Sequence, residues 1–346
     1  MLYFILILLL AVPLGIVLVG FVLSAPRYKG PVSDHFNGRQ FINPGGVKTK
    51  GFQDVVKWLR ERERGPWTAQ RNSVKGDKPV ARVEQGIRIT FINHTTFLIQ
   101  TDGLNIITDP VYSERASPFS WAGPKRMREP GIAFEYLPQI DIVLLSHNHY
   151  DHLDIHTVKK LNQTFHPKFI VPLGVSAFLK RSGIDAFQEL DWWQELRIKN
   201  DVAVQAVPAQ HFSGRGTFDR DATLWCGYLL KRTEGNIYFA GDTGYNEYTF
   251  KEIGERCAPV KAALIPIGAY KPKWFMSPIH CSPDEAVQIH EDTGSSFSIA
   301  SHFGTFPLAD DGKDEAVQDL ALALSKSQKT YKPFIAMPEG KAIDVE

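Results

Sequence analysis

Apolar and polar positions are arranged in three different ways along the chain, and each arrangement predicts a different structure. Met1 to Pro26 carries no charged side chain and is mostly Leu, Ile, Val and Phe. Roughly 23 apolar residues at ~1.5 Å rise each match the ~30 Å hydrocarbon core of a bilayer, so residues 1–26 predict a transmembrane helix. A cleaved signal peptide fits less well, because no basic leading region is present and Ser24-Ala25 runs straight into Pro26. Arg27, Lys29 and Arg39 follow, and the positive-inside rule then places the rest of the chain on the cytoplasmic side of a single-pass anchor.

A Gly/Pro/Asn-rich stretch over residues 27–50 reads as a linker. The segment "GFQDVVKWLRERERGPW" then spaces Phe52, Val55, Val56 and Leu59 at i, i+3, i+4 and i+7, the signature of an amphipathic helix. Such a helix lies either on the domain that follows or at a membrane interface.

From Val83 the period shortens. "IRITFINHTTFLIQTDGLNIITDPV" reads as strands joined by a two-residue Asp102-Gly103 turn. "IDIVLLS", "KFIVPLG", "VAVQAVPAQ", "TLWCGYLLK", "NIYFAGD", "AALIPIG" and "SFSIASH" predict further strands. Helical patterns stand between the later ones in "HTVKKLNQTF", "VSAFLKRSG", "PDEAVQIHEDTG" and "DEAVQDLALALSKS", the third opened by a Ser282/Glu285 capping box. With no second linker, residues 51–346 predict one α/β domain whose helices cover sheet faces.

Composition narrows the partners. The 346 residues are 43% hydrophobic and 22% charged, as in a globular chain. A formal net charge of +1 supplies no field for nucleic acid, which is excluded as a partner. Cys226, Cys257 and Cys281 have no C-x-x-C neighbour, so they suggest small buried hydrophobes and not disulfides or a thiolate metal knuckle.

The chemistry sits where apolar runs stop. "LLSHNHYDHLD" places His147, His149, Asp151 and His152 directly after a strand-like run, and all four are good ligands for a borderline-soft divalent metal. His211, Asp242 and His302 end three other such runs. A single His of this kind is ordinarily a hydrogen-bonded structural residue; seven ligand-type residues at four strand ends point to one shared edge. His147 and His149, at i and i+2, can face one ion while Asp151 and His152 face another.

H-x-H-x-D-H followed by separate His, Asp and His resembles the ligand set of the metallo-β-lactamase superfamily. "TDPVYSERASPFSWAGPKRMREP", "SHNHYDHLD", "YFAGDTGY", "SPDEAVQIHEDTG" and "HFGTF" together resemble the N-acyl-phosphatidylethanolamine-hydrolysing phospholipase D branch, over about Trp58 to Pro307. The resemblance implies an αβ/βα sandwich of two mixed sheets. It implies two Zn2+, with iron or manganese as substitutes, one held by His147, His149 and His211, the other by Asp151, His152 and His302, with Asp242 bridging. Asp151, Asp109 in "TDP" and His280 are the catalytic candidates it implies, the latter two as orienting or substrate-contacting groups. Where related sequences have an amide residue before that His, this chain has Ile279. His94 is expected to hydrogen-bond a ligand; His35, His156, His166 and His290 are expected to be structural or on the surface.

The implied activity is hydrolysis of a phospholipid phosphodiester by metal-held hydroxide, with a membrane as the place of reaction. The alternative is a lactonase or other acyl hydrolase on the same two metals, since hydroxide attacks carbonyl carbon as readily as phosphorus. The residues leave self-association into a homodimer open.

Overall fold

The computed structural model of the chain describes residues 15, 17–70, 76–199, 201–327 and 332–345. Two seven-stranded sheets face each other. The first contains β1 (Ile87–Asn93), β2 (Thr96–Thr101), β3 (Leu104–Thr108), β4 (Ile142–Leu144), β5 (Lys168–Pro172), β6 (Phe187–Leu190) and, at the opposite edge, β14 (Ala342–Val345), in the order β14-β1-β2-β3-β4-β5-β6. The second contains β7 (Glu195–Lys199), β8 (Val202–Val207), β9 (Gly227–Arg232), β10 (Asn236–Phe239), β11 (Val260–Pro266), β12 (Ser298–Ser301) and β13 (Phe334–Ile335), in the order β13-β12-β11-β10-β9-β8-β7. The expected sandwich of two mixed sheets is therefore present.

Alternation along the strands builds two apolar layers in the first half. Ile106, Ile142 and Leu144 point inward with Val204, Tyr228 and Leu264 of the second sheet, while Ile107, Val143 and Leu145 point outward. Helices α2 (Ile155–Phe165) and α3 (Val175–Arg181) cover that outer layer through Val158, Leu161, Phe178 and Leu179. Strands buried on both faces need apolar residues at nearly every position, which is why they stood out as continuous runs. Each such side chain contributes about 1.5–3 kcal/mol by leaving water. The Asp102-Gly103 turn joins β2 to β3 with both residues at positive φ, 50° and 67°, as a type I′ hairpin requires. The backbone N–H of Ser282 donates to Glu285 across 2.9 Å at the start of α6 (Pro283–Asp292), after α4 (Thr249–Cys257) and α5 (Lys273–Met276). All three cysteines are free and buried.

The expectation of an N-terminal transmembrane helix, and of single-pass placement with a cytoplasmic body, is corrected. Among the described residues no helix is long and apolar enough to cross a membrane. Residues 1–14 and 16 of the expected anchor lie outside the described residues. Residues 17–23 are helical. The chain then turns onto the sandwich, where the Ala25 N–H donates to Asp219 across 2.8 Å. Further along, Phe36 and Phe41 are buried against Trp225.

The amphipathic helix forms as α1 (Phe52–Arg60), but it docks by only part of its expected face. Val55 and Trp58 pack on Ala269, Phe275 and Met276, and Trp58 Nε1 donates to Asp310 across 2.8 Å. Phe52 and Leu59 remain 82% and 55% exposed. Trp58, which lies outside the four-residue stripe, stacks on Phe275 at 5.0 Å and forms part of the docked face.

Candidate metal centre

Strand direction decides where the ligand-type residues meet. β1 and β3 are both antiparallel to β2, and β4 is parallel to β3, so β1, β3 and β4 end on the same edge. Directly after them come His94, Asp109 and the Ser146-His147 pair. In the other sheet β8 and β10 are both antiparallel to β9, and β11 and β12 run parallel to β10. Their ends deliver His211, Asp242 and His302 to that same edge. The backbone there is strained: His94, Asp109 and His302 have φ of 48°, 31° and 56°. Gly241 permits the closeness of the two sheets, since a Cβ on it would lie 2.7 Å from Ser146 Cβ.

Two groups of side chains converge. The ring nitrogens of His147, His149 and His211 form one, with His147 Nε2 and His149 Nδ1 2.8 Å apart and His211 Nε2 3.2 Å from His149 Nδ1. His94, Asp151, His152 and His302 form the other. Asp242 lies between: its Oδ2 is 3.1 Å from both His152 Nε2 and His302 Nε2 and 3.7 Å from His211 Nε2. His280 Nδ1 is 3.8 Å from the same oxygen. His149 and His280 are half-buried while His94, His147, His152, His211, Asp242 and His302 are buried, so the two half-buried rings mark the way in.

The outward nitrogens of His147, His152 and His211 have partners, whereas His94 Nδ1 and His302 Nδ1 have none. Asp109 accepts from Ser146 N–H at 2.7 Å, Ser146 Oγ at 2.6 Å and His152 Nδ1 at 2.7 Å. His147 Nδ1 meets Ser146 Oγ at 2.9 Å, and His211 Nδ1 donates to the Ile279 carbonyl at 2.7 Å. These partners hold the outer protons and leave the Nε2 lone pairs of His147, His152 and His211 facing inward. His152 Nε2, Asp242 Oδ1 and His280 Nδ1 are buried without a hydrogen-bond partner. Buried polar atoms left orphaned in this way are costly unless something else binds them, and a set of imidazole and carboxylate donors fits divalent cations.

Electrostatics separates the two groups. Burial first, then neighbouring imidazoles, pushes His147 well below its usual range. Burial brings His149, His211, His94 and His280 to about 3. Burial also opposes charge on His302 and His152, but the carboxylates outweigh it: Asp242 and Asp151 lift His302 to about 9, and with Asp109 they hold His152 well above its usual value. Asp151 and Asp242 are driven well below the carboxylate range against burial, chiefly by His152.

The sequence profile of the Beta-lactamase superfamily domain matches residues 104–303, which hold every one of the residues just described except His94. The chain belongs to this superfamily. It is 38% identical over 289 residues to N-acyl-phosphatidylethanolamine-hydrolyzing phospholipase D 1 of Caenorhabditis elegans, covering 79% of this chain and 81% of that one. It is 37% identical over 222 residues to the mitochondrial protein of the same activity name in Saccharomyces cerevisiae, covering 63% of this chain and 46% of that one. A solved metallo hydrolase from Ignicoccus hospitalis shares the fold, with a TM-score of 0.57 at 20% identity, over 76% of this chain and 99% of its own. The protein is a metal-dependent hydrolase with a divalent metal centre, and it resembles the N-acyl-phosphatidylethanolamine-hydrolysing phospholipases D.

The expected ligand residues, together with Asp109 and His280, meet at this edge. His94 makes the expected hydrogen bond to a ligand candidate, its Nε2 3.1 Å from Asp151 Oδ2. Ile279 carries no amide side chain, and its carbonyl accepts from His211 Nδ1. Ser146, which links Asp109 to His147, escaped notice because a lone Ser beside a His carries no pattern. His35, between Asp34 and Asp191 and stacked on Trp192, and His290, bonded to Ser298, belong to the scaffold.

Proposed function

We propose that the protein hydrolyses the phosphodiester of an N-acylated phosphatidylethanolamine, releasing phosphatidic acid and an N-acylethanolamine. What carries this reading is the 38% identity to the nematode phospholipase D across most of both chains. The site chemistry agrees with it. His147, His149 and His211 would hold one ion, Asp151, His152 and His302 the other, and Asp242 would face both. Bound there, two divalent ions, zinc by the donor set, supply Lewis-acid charge for phosphoryl oxygens and lower the pKa of a coordinated water from 15.7 toward about 7.

The residues do the rest. Asp109 keeps the Nδ1 proton of His152 and, through Ser146, orients His147, so both rings present Nε2 inward. His280, half-buried at the entrance and without a partner on Nδ1, would hydrogen-bond a phosphoryl oxygen. The oxygen of water bonds to phosphorus, the bond from phosphorus to the acylethanolamine oxygen breaks, and the proton that water gives up ends on that leaving oxygen. A substrate with two or three acyl chains is met at a lipid surface, and the exposed Phe52 and Leu59 lie on the helix packed beside the Ile279-His280 segment.

Mass spectrometry of lipid products from a mixed phospholipid extract, with an acyl-homoserine lactone assayed in parallel, tests the reading. Phosphatidic acid and N-acylethanolamine should appear together and vanish with a chelator. Lactone opening without phospholipid cleavage overturns it in favour of the acyl-hydrolase chemistry.

A further inference from the structure

Arg215 stands in a glycine-rich loop, yet it is only 8% exposed and no carboxylate pairs with its guanidinium among the described residues. Burial pushes its pKa down to about 10. A buried uncompensated charge is costly, so its contacts must justify it. Nη1 donates to two carbonyls, Asn148 O at 2.8 Å and Leu153 O at 2.9 Å. These two residues bracket His149, Asp151 and His152. The guanidinium lies 4.0 Å over the Tyr150 ring and 4.6 Å over Phe178. Contacts return from the loop as well: Tyr150 Oη donates to Arg215 O at 2.9 Å, and Gly214 N–H donates to Asn148 Oδ1 at 2.8 Å.

The clasp is itself anchored. Asp219 accepts the backbone N–H of Arg215 at 2.9 Å, of Gly216 at 2.7 Å and of Ala25 at 2.8 Å. His211 lies four residues before Arg215, so one short segment both carries a ring of the imidazole group and grips the loop that carries the others. We infer that Arg215 is a positioning residue which closes the 148–153 loop and sets the spacing between His149 and His211 on one side and Asp151 and His152 on the other. The two forked N–H bonds from one nitrogen, with the flat guanidinium seated between rings, suit arginine and not lysine, whose point ammonium has no planar face. This inference is independent of the substrate.

The test uses the full chain loaded with cobalt(II). Arg215→Lys and Arg215→Met are compared with Arg181→Met, which alters an exposed arginine over the same Phe178 ring but without a bond to the 148–153 loop. Arg215→Lys should keep the far-ultraviolet circular dichroism of the wild type, shift the cobalt ligand-field spectrum, and release cobalt to a chelator at least tenfold faster. With phospholipid, kcat should fall about tenfold and KM less than twofold. Arg181→Met should match wild type in spectrum and release rate. Wild-type cobalt spectrum and release in folded Arg215→Lys overturn the inference, as does equal acceleration in Arg181→Met. If Arg215→Met does not fold, the lysine variant decides.

Discussion

Around His147, His149 and His211 the centre is built from imidazole with the shared Asp242 at its side, whereas around Asp151, His152 and His302 imidazole is interleaved with carboxylate. The first group stays neutral because burial and mutual repulsion oppose every proton on it. The second holds charged rings beside charged acids, which offset each other in a buried place. The strands explain how this arose. His211, at the end of β8, delivers a ring with a carbonyl behind it, whereas His152 has the Asp109 carboxylate behind it. The inner carboxylates Asp242 and Asp151 thus hold His152 and His302 charged, with Asp109 adding to them behind His152 alone.

The largest expected effect comes from the residue common to both groups. Asp242→Asn replaces a lone pair by an N–H donor within 3.1 Å of two rings and removes the negative charge between the groups. Turnover should fall by more than ~100-fold, with the folded protein losing metal by elemental analysis. Full metal content with normal turnover removes Asp242 from the centre.

Next come single removals from each group. His147→Ala and His302→Ala should each cost one ion and most activity while circular dichroism stays at wild type, because both residues lie past strand ends and outside the apolar layers. If His302→Ala keeps two ions and full activity, the carboxylate-bearing group is not a separate site. Asp109→Asn reaches both groups at once, directly through His152 and through Ser146 to His147. It should lower metal affinity by about 10–100-fold, with smaller loss of stability, measured by chelator competition. An effect confined to one ion would show that the Ser146 link carries nothing.

The central strands and the seven ligand-type residues were legible because burial on both faces forces unbroken apolar runs, and a polar cluster at the end of one is conspicuous. What the sequence hid has physical reasons too. The four strands it did not reveal, β6, β7, β13 and β14, are the four sheet edges, short and half-exposed, so they need no apolar run. Arg215 in "SGRGT" reads as a solvated loop, because partners that are backbone carbonyls leave no trace in composition. His94, expected to hydrogen-bond a ligand, reaches Asp151 through a left-handed turn after β1. The apolar N-terminus shows the converse, since hydropathy alone says nothing of where a helix stops.

The smallest expected effect is the sharpest probe of the difference between the groups, and it is a count of protons. A ring must be neutral to bind a metal. At pH 7 the rings of His147, His149 and His211 already are, whereas His302, lifted to about 9, and His152, also raised, carry protons until an ion displaces them. Loading the carboxylate-bearing group should therefore release roughly two protons, and loading the imidazole group none. Affinity at the former should rise about tenfold per pH unit for each proton displaced, the His302 contribution levelling off above about 9, while affinity at the latter stays flat across the same window. The fold without ions should respond in the opposite direction: a raised His302 stabilises it fully below the unfolded value of about 6.5 and ceases to as pH climbs through about 9. Calorimetric titration of His147→Ala and His302→Ala with metal, repeated in buffers of different ionisation enthalpy, isolates each group and counts its protons. Equal release from both variants would mean that the carboxylates do not hold the rings charged, and that the two groups differ in composition but not in chemistry.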